Sequence, residues 1–245
     1  MTMIQLAVFQ HVWWEGPGKF LLEAAARDHV RLDVIEVWRQ QIPDLSPYHG
    51  LIILGGGPNV NQVDEYPFLF REKEAVRLWL QGDRPCLGIC LGHQLLAEAL
   101  GGCIGPNFCH SIGFIEGHLT SDGRAHPVFK GIDTHPPLFK WHGQAIIPPV
   151  PSHMQILATS KECQVEAFTV QNRPYIIGVQ FDNHAAAPED VVHWLNQDAT
   201  WLDSITGKEI STKQIAADAE KQQWLTGRHF HQFFRNFIRL MQKSA

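Results

Sequence analysis

Residues 85–102 read Pro85-Cys86-Leu87-Gly88-Ile89-Cys90-Leu91-Gly92-His93-Gln94-Leu95-Leu96-Ala97-Glu98-Ala99-Leu100-Gly101-Gly102. The stretch opens short and apolar, as a buried strand does. Past Gly88 and Gly92 it takes on helical spacing, with apolar residues at Leu91, Leu95, Leu96 and Leu100. Cys90 stands at the junction, a glycine two positions away on each side. This is a strand-to-helix elbow of the Gly-x-nucleophile-x-Gly kind, with Cys in the nucleophile's place. Glycine is required at the flanks because a Cβ there would collide with the tight backbone.

Such a position acts on the sulfur. Backbone N–H groups and the dipole at a helix N-terminus favour thiolate over thiol, which predicts that Cys90 is the most reactive cysteine of the chain. The Leu91 N–H is a natural oxyanion donor. The plain alternative is that Cys90 is one more small buried residue.

The segment Gly88-Ile89-Cys90-Leu91-Gly92-His93-Gln94 resembles the nucleophile motif of the class I glutamine amidotransferases. The chain looks most like the free-standing members related to the glutaminase domain of GMP synthase. The resemblance implies a flavodoxin-like α/β fold: one domain over residues 1–245, with a central, mainly parallel sheet flanked by helices. It also implies a Cys90 thioester formed from glutamine or a γ-glutamyl amide. By the same resemblance Gly57 donates its N–H to the oxyanion hole, Gly56 helps the chain turn there, and Gln94 lines the substrate pocket.

Other segments extend the match. Met3 to Phe9 reads as a first strand, Lys19 to Asp28 as an amphipathic helix, and Leu32 to Val37 as a second strand. Leu51 to Leu54 is a buried strand ending in Gly55-Gly56-Gly57-Pro58. Strand, helix and strand in this order predict parallel pairing with right-handed crossovers. A helix from about Phe68 to Gln81 is expected to turn Ala75, Leu78 and Trp79 inward.

Asn107 to Phe114 corresponds to a pocket-lining segment of the family, with Ser111 where Glu is usual; as plain structure it reads as an edge strand. Trp141-His142-Gly143-Gln144 corresponds to the family's His-Gly-Asp segment, so His142 either faces the site or is structural. Glu166 to Val170 and Tyr175 to Phe181 read as a hairpin, and Pro188-Glu189-Asp190 as a helix start. Phe230, Phe233, Phe234, Phe237, Ile238 and Met241 form one helical stripe. It is expected to pack on the sheet, a partner-binding role being the alternative.

The resemblance breaks at the catalytic base. After Gly-x-Gln-Phe the family carries His-Pro-Glu, whereas this chain reads Gly178-Val179-Gln180-Phe181-Asp182-Asn183-His184. Asp182 stands in the place of His, and His184 in the place of Glu. A carboxylate with a reference pKa near 4 is a weak base for a thiol near about 8.5, and its charge disfavours the thiolate. His184 has the right chemistry but sits two residues late, roughly 7 Å along an extended chain. The segment to Pro188 is one residue longer than is usual in the family. A bulge there would bring His184 to Cys90, with Asp182, Glu189 or Asp190 orienting it.

Two functional readings stay open. One is a cysteine hydrolase of glutamine or γ-glutamyl amides. The other is a binding or regulatory protein that keeps the pocket and has lost turnover. An α/β-hydrolase esterase fits less well, because the elbow runs into Gly-x-Gln and the last strand into Gln-Phe.

The chain has 245 residues, 20 Lys and Arg against 25 Asp and Glu, and five cysteines without a Cys-x-x-Cys pair. That balance predicts a cytoplasmic protein with reduced thiols, no nucleic-acid surface and no membrane span. The fourteen histidines show no metal-ligand spacing, so neither metal nor cofactor is expected. If ammonia is the product, its acceptor is expected to be a separate synthetase chain.

Overall fold

The structure, a computed structural model, describes residues 3–205 and 211–244. Its elements in chain order are β1 Ile4–Gln10, α1 Gly18–Arg27, β2 Val30–Glu36, β3 Gly50–Ile53, α2 Phe68–Gln81, β4 Cys86–Ile89 and α3 Leu91–Ala99. There follow β5 Cys103–Leu119, α4 Ser121–Ala125, β6 Pro137–Ile147, β7 Met154–Ser160, β8 Ala167–Val170 and β9 Arg173–Val179. Helices α5 Pro188–Gln197, α6 Ala199–Ser204 and α7 Thr212–Ser244 complete the chain.

One sheet runs through these elements in the order β2-β1-β3-β4-β9-β8-β7-β5-β6. The first five strands are parallel. From β9 onward every pairing is antiparallel, so the sheet is mixed, with its parallel half carrying the elbow. The run 107–114 is edge-like, as expected. It lies within β5, where residues 111–114 pair with β6 alone; β7 pairs only with Gly117 to Leu119, so the run has one strand neighbour.

Alternation along the parallel strands divides the core into two layers. Leu6 and Val8 of β1 face the layer shared with α1, α5 and α7, whereas Ala7 and Phe9 face α2 and α3. The stripe Phe230, Phe233, Phe234, Phe237, Ile238 and Met241 is buried in the first layer. Helix α2 buries Leu69, Glu72, Val76 and Trp79. Leu78 therefore falls on the outer face, 62% exposed, against the inward placement expected from the sequence. Asp190, in the first turn of α5, accepts from the Lys19 N–H at 2.7 Å. It thereby caps α1, a helix without a side-chain cap of its own. Among the described residues no helix is long and apolar enough to cross a membrane.

Candidate active site

The loops that leave the carboxyl ends of β1, β3, β4 and β9 converge, as expected for the ligand edge of a parallel sheet. They supply Glu15, Gly55 to Gly57, Cys90 and Asp182. Strands β5 and β6 close one side with Asn107, His110 and the run Trp141 to Gln144. The resulting cleft has a volume of about 460 Å³.

Cys90 has φ 49° and ψ −106°, a left-handed conformation that L-residues rarely hold. Three hydrogen bonds fix it: Cys90 N–H to Val179 O at 2.9 Å, Gly92 N–H to Leu54 O at 3.1 Å, and Gln94 N–H to Cys90 O at 3.1 Å. The glycines are needed for contact as well as for torsion. A Cβ on Gly92 would lie 2.1 Å from Ile53 O, and one on Gly88 would lie 2.3 Å from Gly92 O. The Leu91 N–H lies against the sulfur. Gly57 is open, with nothing near the position a Cβ would take.

The thiol departs from what the elbow alone predicts. Burial pushes the Cys90 thiol up, and the carboxyls of Asp182 and Glu15 push it further. Lys140 and the Leu91 N–H act the other way, with less effect. Cys90 is 7% exposed. Of the other thiols Cys86 and Cys163 are buried, while Cys103 is exposed. Helix-terminus activation is therefore outweighed by desolvation and by like charge.

Asp182 is the acid beside Cys90. Its Oδ1 and the Cys90 Cβ lie 3.3 and 3.4 Å from the point where a Gly55 Cβ would stand, and Glu15 Oε2 lies 3.0 Å from that point. Asp182 is fully buried, and the Cys90 thiol is the hydrogen-bonding group that acts on its carboxyl. Burial raises its carboxyl well above the usual range; Lys140 draws it back in part. Glu15 is raised likewise, by burial first and then by Asp182 and Asp198. Two carboxyls this close resist ionising together, so they titrate as a pair.

His184 does not reach the site. Asp182 N–H donates to Phe139 O at 2.7 Å, and the Asn183 side chain accepts from Phe139 N–H at 2.7 Å and donates to Pro137 O at 2.9 Å. These bonds seat the chain on β6, and residues Asn183–Ala185 form a 3₁₀ turn instead of a bulge. Two residues of such a turn rotate a side chain about two-thirds of the way round. The His184 ring consequently lies between Trp194 and Phe230, at 6.2 and 6.4 Å between centroids. Burial alone drops its pKa to about 3. The three acids expected to orient it serve elsewhere: Glu189 pairs with Lys19, Asp190 caps α1, and Asp182 meets Cys90.

The remaining expected residues divide. Gly56, Gly57, Leu91, Gln94 and His142 line the cleft; Ser111 does not. Its hydroxyl donates to Glu162 Oε2 at 2.9 Å, and its neighbours Asn107 and His110 face the cleft in its stead. Gln94 is held by Gln144 O and Gln180 Oε1, both at 3.2 Å. His142 Nδ1–H donates to Gln144 O at 2.8 Å, which leaves a bare, buried Nε2. Burial first, then Lys140, keeps this ring neutral. The charges that act on the Cys90 thiol belong to Asp182, Glu15 and Lys140.

Three contributors escaped sequence reading. Glu15 follows β1 in a loop without a motif. His11 ties that loop to Gly55 O at 2.7 Å and to Glu72 at 2.8 Å. Burial opposes its charge, yet Glu72 leaves its pKa raised. Lys140, fully buried, pairs with Glu166, whose other oxygen accepts from Ser160 Oγ at 2.6 Å. A lysine between Phe139 and Trp141 in a buried strand was the available signal.

Comparison with known proteins bears on family and fold. Residues 21–184 match the family glutamine amidotransferase class-I. A GMP synthase (glutamine-hydrolyzing) subunit from Methanothermobacter thermautotrophicus is 29% identical over 162 residues, 63% of this chain and 80% of that one. Its counterpart from Methanosphaera stadtmanae is 33% identical over 142 residues, 58% of this chain and 68% of its own. A glutamine amidotransferase structure from Thermotoga maritima superposes with a TM-score of 0.85 at 21% identity, covering 97% of this chain and 99% of that chain. One from Methylobacillus flagellatus gives 0.85 at 22%, covering 98% and 96%. These structures show the same fold.

Proposed function

The chain belongs to the glutamine amidotransferase class-I family, and from that premise we propose that it hydrolyses the side-chain amide of glutamine or of a γ-glutamyl compound through a Cys90 thioester, with Asp182 carrying the proton. The observation behind this reading is the adjacency of Asp182 and Cys90, with His184 turned away.

The chemistry balances without an imidazole. The Asp182 carboxylate takes the thiol proton as Sγ bonds to the amide carbon. Leu91 and Gly57 N–H groups hold the oxyanion. Asp182, now a carboxylic acid, returns the proton to the departing nitrogen, and the C–N bond breaks. Water then attacks the thioester, Asp182 takes its proton, and the thiol leaves with that proton restored. A carboxyl with a raised pKa suits both steps better than an ordinary one, because proton transfer is most effective between groups of similar affinity. Lys140 supplies a nearby positive charge that favours both carboxylate and thiolate.

One observation favours a second reading, a binding protein without turnover: the thiol's pKa is raised, and no imidazole is among the charges acting on it. The relatives are named as subunits of a glutamine-hydrolysing synthase. Service to such an enzyme would send ammonia to a separate polypeptide, whereas hydrolysis for its own sake needs no acceptor. Release of ammonia or amine from glutamine and from γ-glutamyl amides tests the proposal. Release by the wild type and none by Cys90→Ala supports hydrolysis. Ligand binding without release by either identifies the binding protein.

A further inference from the structure

We infer that the cleft is built for a γ-glutamyl amide whose amine portion carries a second, positively charged nitrogen. The inference rests on the amide-hydrolase reading of the same site and names its substrate class.

The charges point this way. Among the described residues lining the cleft, three are acids, Glu15, Asp182 and Asp198, and none is Lys or Arg. Lys140 lies behind the lining and is neutralised by Glu166. The α-ammonium of a glutamyl group would engage one acid, and its α-carboxylate cancels that charge. With Asp182 engaged at the thiol, one acid is then left facing a ligand with no net charge. A second cation on the ligand supplies what is missing.

The walls are suited to the same group. Trp141, Trp194 and Trp201 all line the cleft. Trp141 meets Trp194 nearly edge-on at 5.9 Å and Trp201 at 6.3 Å. The Trp141 Nε1–H donates to Asp198 Oδ2 at 2.8 Å, fixing a carboxylate at the rim of an aromatic wall. Indole faces beside a carboxylate recognise organic ammonium groups. The 460 Å³ volume is within the range of small-molecule pockets and leaves room for a tail beyond the glutamyl group. The products of such a reaction are glutamate and a free diamine-type compound, with water as the only co-reactant.

The test compares two substrates of equal length, γ-glutamyl-(4-aminobutyl)amide and γ-glutamyl-n-pentylamide, in which a methyl replaces the terminal ammonium. The charged tail is expected to be preferred by about tenfold or more in kcat/KM, the scale of a partly desolvated cation–π and carboxylate contact. Glu15→Gln and Asp198→Asn should each shrink that ratio. Equal cleavage of both compounds overturns the tail inference and leaves amide hydrolysis standing. If neither is cleaved, hydrolysis fails, and calorimetry on the same two compounds decides the tail. Tighter binding of the charged one supports the inference; equal binding or none overturns it.

Discussion

The carboxyl of Asp182 lies beside the thiol of Cys90, in the position that a histidine holds in the family's usual His-Pro-Glu sequence. Asp182 raises the proton affinity of the Cys90 thiol, the hydrogen bond from that thiol lowers that of the Asp182 carboxyl, and burial raises both. Two acids weakened by burial thus stand side by side, with the Lys140–Glu166 pair behind them.

Lys140 should tune the pH at which Asp182 works. It lowers the Asp182 carboxyl more than Glu166 raises it. Removing the pair together, Lys140→Met with Glu166→Leu, avoids leaving one buried charge alone, an error worth about 3–5 kcal/mol. Asp182 then titrates higher, so the acid limb of the rate profile should move to higher pH. An unmoved limb would separate Lys140 from the chemistry.

The elbow should not tolerate a side chain at Gly92. A methyl there meets Ile53 O at 2.1 Å, and neither partner is a flexible side-chain end. Gly92→Ala is expected to cost about 3 kcal/mol or more, at the upper end of overpacking. Urea denaturation measures it, and an unchanged midpoint would contradict the tight strand–helix contact.

Stability should fall on acidification. His184 and His93 are neutral in the fold, with pKa values near 3, against 6.5 when exposed. The unfolded chain therefore binds more protons between those values, and stability declines as pH drops from 6.5 toward 3. Asp182 and Glu15, both raised, have the opposite sign: what they contribute is present in acid and is lost as pH rises through their raised values. His184→Phe should flatten the acid limb of a Tm–pH curve. A limb equally steep in that variant would show that His184 is not buried as a neutral ring.

Alkylation should begin elsewhere than at Cys90. Cys103 is exposed, whereas Cys90 is 7% exposed and its thiol is pushed up by burial, Asp182 and Glu15. Iodoacetamide near pH 7.5 should modify Cys103 first, as read by peptide mass spectrometry. Faster modification of Cys90 would mean that the helix terminus outweighs the carboxyls.

The elbow was legible because it is local: strand, glycine spacing and helix period all lie within residues 85–102. The same holds for α2, predicted at the bounds found, and for the aromatic stripe of α7. Tertiary choices were not legible. Leu78 fits an apolar pattern yet faces out, because Leu69, Glu72, Val76 and Trp79 define the buried side. The turn that carries His184 away is set by Asn183 bonding to Phe139 and Pro137 of β6, 44 and 46 residues back in the chain. Glu15 enters the site only through the pairing of β1 with β3. The thiol's raised pKa depends on that same non-local gathering of acids.

The central claim is that Asp182 does the base's work and His184 none. Steady-state release of ammonia or amine by wild type, Asp182→Asn and His184→Phe, each checked for an intact fold, tests it most directly. Loss of a positioned general base is worth roughly 10²–10⁴-fold. The account predicts a fall of that size in kcat for Asp182→Asn and less than about threefold for His184→Phe, well below the loss of a general base. Turnover that survives Asp182→Asn but is lost in His184→Phe would contradict it.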